Sequence, residues 1–86
     1  MRLLETAKFR KQREKLRGEN EKEALKKAIL EVMENPLSGK KLKGELAPFR
    51  SCRYAAAGQA QRLIYKFETD TLILLSFGPR QGIYKS

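Results

Sequence analysis

The sequence predicts an α+β domain, with two helices on one face of a mostly antiparallel sheet in the order β-α-α-β-β-β. Three observations carry this prediction. A clean amphipathic stripe runs through Leu25, Ala28, Ile29, Val32 and Met33. Three strand-like runs fill the C-terminal half. The last two of them, "QRLIYKFE" and "TLILLSF", are separated by a short polar turn. At 86 residues the chain is read as one domain, 1–86.

Each element follows from local pattern. "MRLLE" is an apolar opening strand. Thr6 is placed to cap a helix over "AKFRKQREKLR", with Gly18 as its stop. Phe9 and Leu16 lie seven apart on one side of it, and the other faces carry Lys8, Arg10, Lys11, Arg13, Lys15 and Arg17. Asn20, with Glu23 three residues on, has the spacing of a capping box for the second helix. The stripe from Leu25 to Met33 recurs at i, i+3, i+4, i+7 and i+8, and "ENP" ends it, because a residue before proline is pushed out of the helical region.

"LSGKKLKGELAP" reads as a loop. In "FRSCRYAAA", Cys52, Tyr54 and Ala56 alternate with Ser51, Arg53 and Ala55. In "QRLIYKFE", Leu63, Tyr65 and Phe67 share one face, and Arg62, Ile64 and Lys66 share the other. "TLILLSF" is nearly continuous apolar sequence, the pattern of a central strand covered on both faces. "ETDT" is short enough for a hairpin turn.

Composition narrows the chemistry. Lys and Arg number 19 against 10 Asp and Glu, a net charge of +9, which suits a phosphate-rich or acidic partner. The chain has no histidine and one cysteine, Cys52, so it can build neither a His-based nucleophilic site nor an internal disulfide. One cysteine is too few for a zinc cluster, and no metal or organic cofactor is expected. "SGKKLKG" lacks the spacing of a phosphate-binding loop. The opening residues lack the apolar stretch of a signal peptide, and no run is long enough for a membrane span, so a cytoplasmic location is expected.

If two helices cover one sheet face, the other face receives Arg53 and Arg62. Arg80 and Tyr84 follow the last strand and border the same surface. Arginine forks match phosphate oxygens in pairs, and tyrosine supplies a ring for stacking and a hydroxyl for hydrogen bonding. Arg53 with Arg50, Lys41 and Lys43 forms the candidate RNA-binding set, and Arg62, Arg80 and Tyr84 the candidate catalytic set.

These residues in this order resemble the RelE/ParE superfamily of bacterial and archaeal toxins from toxin–antitoxin pairs. The resemblance covers nearly the whole chain. Its most specific part is "QRLIYKFETDTLILLSFGPRQGIY": Arg-Leu-Ile-Tyr on a strand, a hydrophobic strand, then Gly-x-Arg and a trailing Tyr. RelE-type members cleave messenger RNA in the ribosomal decoding site. The resemblance implies that Arg62 and Arg80 stabilise charge on the phosphoryl oxygens while a ribose 2′-hydroxyl attacks, and that Tyr84 or Lys43 is a candidate base. It implies a cognate antitoxin, messenger RNA and the ribosome as partners. Ser51 stands where RelE-type members place a second lysine, and the loop "AAAGQAQR" reads as longer than theirs. One branch relies on a histidine, which this chain lacks. ParE-type members share the fold but poison DNA gyrase without ribonuclease residues. A gyrase inhibitor and an inactive basic RNA-binding module are therefore the alternatives.

Overall fold

The computed structural model describes residues 1–79; Arg80 and Tyr84 lie outside them. Strand β1 (Arg2–Glu5) is followed by helices α1 (Ala7–Glu14) and α2 (Glu19–Glu34), the two-residue strand β2 (Lys40–Lys41), a 3-10 turn (Gly44–Leu46), and strands β3 (Arg50–Ala56), β4 (Gln59–Glu68) and β5 (Thr71–Pro79). The sheet order is β1-β5-β4-β3-β2. Only the β1–β5 pair is parallel; the others are antiparallel. The expected α+β architecture is therefore present, with a short fifth strand inside what the sequence marks as a loop.

Both helices pack on one sheet face, α1 over β5 and β1, α2 over β3 and β4. Between them and the sheet lies one core of Phe9, Leu25, Ala28, Val32, Leu63, Tyr65, Leu72, Leu74 and Phe77. Phe9 and Phe77 meet edge to face with ring centroids 5.2 Å apart. Cys52, Tyr54 and Phe67 join from the alternation read in the sequence. Removing a ring such as Phe9 would cost about 3–5 kcal/mol in lost burial and cavity.

The helix ends differ from expectation. Thr6 does cap α1: its hydroxyl oxygen accepts from the Phe9 N–H at 3.1 Å. The helix stops at Glu14, however, with Lys15 as its cap, and does not reach Gly18. Gly18 instead opens α2, with Asn20 and Glu23 inside the helix, so the expected capping box does not form. Glu19 and Glu21 in the first turn complement the helix dipole in its place. A Cβ at position 18 would meet only the flexible end of the Glu21 side chain, and Gly18 has no left-handed backbone, so neither space nor conformation demands glycine there.

Both hairpins close with two residues. Ala56 pairs with Gln59 around Ala57-Gly58, and Glu68 pairs with Thr71 around Thr69-Asp70. All four turn residues have positive φ: 51°, 77°, 48° and 58°. This is the primed turn whose twist matches the strands. The "AAAGQAQR" stretch is therefore not a long loop; all but two of its residues belong to strands.

Strand β5 contains a bulge. Ile64 pairs with Ser76 but Tyr65 with Leu74, which leaves Leu75 as the extra residue. The bulge switches strand parity, so Leu72 and Leu74 face the core and so does Phe77. The apolar run thus reflects this switch rather than helices on both faces, and Ile73 and Leu75 stay half-exposed. Two side chains from the first turn of the molecule hold it. The Thr6 hydroxyl donates to the Leu75 carbonyl at 2.9 Å. The Gln12 amide brackets Phe77, donating to its carbonyl at 2.9 Å and accepting from its N–H at 3.1 Å. Beyond Leu74 strand β5 has no further pairing with β1, and Gln12 substitutes for the missing neighbour.

Two stability predictions follow from these contacts. Thr69 is β-branched in a left-handed conformation, so Thr69→Asn should stabilise the domain by roughly 0.5–1 kcal/mol in urea unfolding. Gln12→Leu strands the Phe77 N–H and carbonyl and should cost about 2–3 kcal/mol; an unchanged urea midpoint would contradict the bracket.

Candidate nucleic-acid interface

The sheet face away from the helices is built in rows by strand register. One row runs Lys40, Ser51, Ile64, Ser76 across β2, β3, β4 and β5. The next runs Arg53, Arg62, Gly78. The two-residue turn at Ala57-Gly58 sets this register and places Arg53 directly opposite Arg62.

The two arginines differ in setting. Arg53 is exposed, whereas Arg62 is only 7% exposed. Arg62 donates from Nη1 to the Ser51 hydroxyl at 3.4 Å, across the neighbouring row. Like charges directly opposite on a sheet repel. Two guanidiniums set side by side in this row offer paired donors of the kind that match phosphate oxygens. Glycine in the same row leaves the Arg62 neighbourhood unobstructed by a β5 side chain. The described chain ends at Pro79, which pairs with Gln61, one residue from Arg62.

The lysine-rich segment is fastened to this face from below. The Tyr65 hydroxyl donates to the Pro36 carbonyl at 2.8 Å and accepts from the Gly39 N–H at 2.9 Å. A Cβ at Gly39 would collide with that hydroxyl, so the close approach requires glycine. Arg50 donates from Nη1 to the Leu37 and Gly39 carbonyls at 3.2 and 3.0 Å. These bonds put Lys40 in line with Ser51.

The structure therefore gathers some candidate residues and separates others. Arg53 and Arg62 are adjacent. Arg50 is engaged with loop carbonyls, and by register it shares the helix-side face with Tyr65. Lys41 pairs with Arg50 and shares that side, while Lys43 is exposed in the loop. Arg80 and Tyr84 lie outside the described residues. Lys40 and Ser51 join the arginines without having been singled out as binding residues. Only strand register distinguishes Lys40 from Lys41, and a lysine pair in a glycine-flanked stretch carries no sign of it.

Three described groups have their pKa pushed upward. Burial raises the Cys52 thiol, with Glu31 adding to the shift. Burial, then Glu21 and Cys52, pushes the Tyr54 phenol up to about 12. Burial also raises Tyr65, against the bond from Gly39. Each stays protonated at neutral pH, and all three lie on the helix side of the sheet, away from the Arg53–Arg62 row.

Residues 3–86 match the family profile described as the ParE-like toxin of type II bacterial toxin-antitoxin systems. No curated protein sequence matches the chain. Among solved structures, a chain of the intact E. coli RelBE toxin–antitoxin complex superposes with a TM-score of 0.73 at 27% identity, over 91% of this chain and 94% of that one. The isolated E. coli RelE toxin gives 0.73 at 26%, over 96% and 89%. YafQ from E. coli gives 0.69 at 17%, over 99% and 100%, a likeness of fold alone.

Arg53→Gln lowers the charge of a chain that carries a net +9 and should stabilise the domain slightly at low salt, with the gain shrinking as salt is added. Thermal melts across a salt series measure it. Tyr54 gives a pH test. Its folded pKa is raised, so folding favours the neutral phenol. Its contribution is present below the ordinary value of 10.0 and is lost as pH rises from there towards about 12. Urea melts at pH 9 and 11 should show a smaller alkaline loss for Tyr54→Phe than for the unaltered chain.

Proposed function

The chain belongs to the ParE-like toxins of type II bacterial toxin–antitoxin systems, and on that premise we propose that it acts as a RelE-type endoribonuclease that cuts messenger RNA on the ribosome. The Arg53–Arg62 row on the sheet face away from the helices is the single observation that favours this reading. It supplies paired guanidiniums where the RelE-type resemblance implies phosphate binding. Arg62 stabilises the phosphoryl oxygens as the ribose 2′-hydroxyl attacks the adjacent phosphate, and Arg53 holds a neighbouring phosphate. The leaving 5′ oxygen needs a proton and the 2′-hydroxyl must lose one; Arg80 and Tyr84 complete the proposed catalytic set. The name of the matching family favours a second reading, a gyrase inhibitor of ParE type.

A cognate antitoxin is the proposed protein partner, by analogy with the RelBE complex. An apolar groove of about 630 Å³ between the helices and the β1 edge suits an amphipathic helix of such a partner, with Leu16, Ile29, Leu30 and Met33 on its walls. The net charge of +9 favours an acidic segment, so association should slow as salt rises.

Induced expression should arrest translation, and primer extension should reveal new 5′ ends within codons of translated transcripts. Arg62→Gln keeps a hydrogen-bonding group near Ser51 but loses the charge. It should lower cleavage by about 10²–10³-fold, the usual effect of removing one transition-state donor, while the protein stays folded. Intact transcripts with arrested DNA replication would favour gyrase as the target.

A further inference from the structure

The two lysines of strand β2 take opposite sides of the sheet. Lys41 pairs with Arg50 on the helix side, and Lys40 pairs with Ser51 on the side of Arg62. Residues directly opposite on antiparallel strands share a face, with their Cβ atoms about 5 Å apart. The Ser51 hydroxyl accepts from Arg62 Nη1 at 3.4 Å. Ser51 therefore lies between the two cations, and its side chain is too short to hold them apart. Two strand spacings of about 4.8 Å and one step of about 6.8 Å separate the Lys40 and Arg62 backbones, a gap that a lysine and an arginine span together.

The backbone that carries Lys40 is fastened on both sides. Before it, the Tyr65 hydroxyl bonds to Pro36 and Gly39, and Arg50 donates to the Gly39 carbonyl. After it, the Leu42 N–H donates to the Phe49 carbonyl at 3.0 Å. A fixed backbone confines the positions that an exposed lysine can reach. The ammonium is not engaged elsewhere: among the described residues Lys40 makes no ion pair. The other strand lysine on this face, Lys66, is committed. It pairs with Glu68 at 3.1 Å and lies 5.9 Å from the centroid of the Phe49 ring.

Resting on the ribonuclease reading above, we propose that Lys40 is a catalytic residue of this site, the ammonium that protonates the leaving 5′ oxygen while Arg62 holds the phosphate. The reaction needs a proton donor at that oxygen, and an arginine in a protein does not give up its proton. The protons of Cys52, Tyr54 and Tyr65 are on the other side of the sheet. Among the described strand residues near Arg62 on this face, Lys40 is the cation with a proton to transfer. In the step, the 2′ oxygen forms a bond to phosphorus as the bond from phosphorus to the 5′ oxygen breaks. The 5′ oxygen takes a proton from Lys40 Nζ and leaves as a 5′-hydroxyl, and the other product is a 2′,3′-cyclic phosphate. The 2′-hydroxyl proton passes to the base, for which Tyr84 and Lys43 are the candidates, and Lys40 regains its proton from water.

The test uses the full chain on ribosomes programmed with a message whose cut position primer extension has located. Two synthetic messages carry oxygen or sulfur as the bridging 5′ atom at that position. A thiolate leaves without being protonated, so a missing acid matters little for the sulfur message. Lys40→Met should slow single-turnover cleavage of the oxygen message by about 10²–10⁴-fold, the usual contribution of a positioned acid, and that of the sulfur message by less than about tenfold. Its Tm should match that of the unaltered chain, because Lys40 is exposed. Lys41→Met, one residue along and on the opposite face, should affect the two messages alike, whatever it does to RNA binding. Arg62→Gln should slow both, since both need the phosphate charge stabilised. An equal loss on the two messages for Lys40→Met, or no loss on the oxygen message, would overturn the proposal and leave the ribonuclease reading standing. Failure of the unaltered chain to cut either message would overturn that reading, and this proposal with it.

Discussion

The bulge at Leu75 is the constraint on which the rest of this structure depends. Without it, a strand that buries Leu72 and Leu74 would turn Phe77 outward and Ser76 inward. With it, Phe77 reaches Phe9, and Gly78 stands in the row of Arg53 and Arg62. A one-residue change of parity thus completes the core and clears the candidate site together. Thr6 and Gln12, both at the start of the chain, hold a feature almost seventy residues away. Helix α1 is tied to the last strand by hydrogen bonds as well as by its single buried ring.

The two faces of the sheet are under different rules. On the helix face, apolar side chains interlock and the polar exceptions are bonded, as with the Tyr65 hydroxyl between Pro36 and Gly39. On the face away from the helices, strand register sets nearly buried Arg62 beside exposed Arg53.

Much of this was legible in the sequence because it is local. The stripe from Leu25 to Met33 sets its own burial through helical periodicity, and strand alternation sorts Leu63, Tyr65 and Phe67 from Arg62. The Arg-Leu-Ile-Tyr strand and the following apolar strand carry the family resemblance that the profile match establishes. What the sequence determined by itself was the set of elements, the side of the sheet each side chain would take wherever alternation is regular, and the excess of cations.

Tertiary structure decided the rest, because those features depend on residues far apart in the chain. A nearly unbroken apolar run hides a bulge, since every residue in "TLILLSF" but Thr71 and Ser76 is apolar and parity leaves no trace. The register that sets Arg53 opposite Arg62 comes from a turn of just two residues, which "AAAGQAQR" conceals because Ala57 takes a positive φ that alanine does not advertise. Gln12 looks like one more polar residue on a basic helix until β5 outruns β1 and leaves Phe77 in need of a partner. Lys40 and Lys41 are chemically identical, and only pairing with Ser51 and Arg50 sends them to opposite faces. Sequence specifies which groups are available; long-range hydrogen bonds and strand register decide which of them meet.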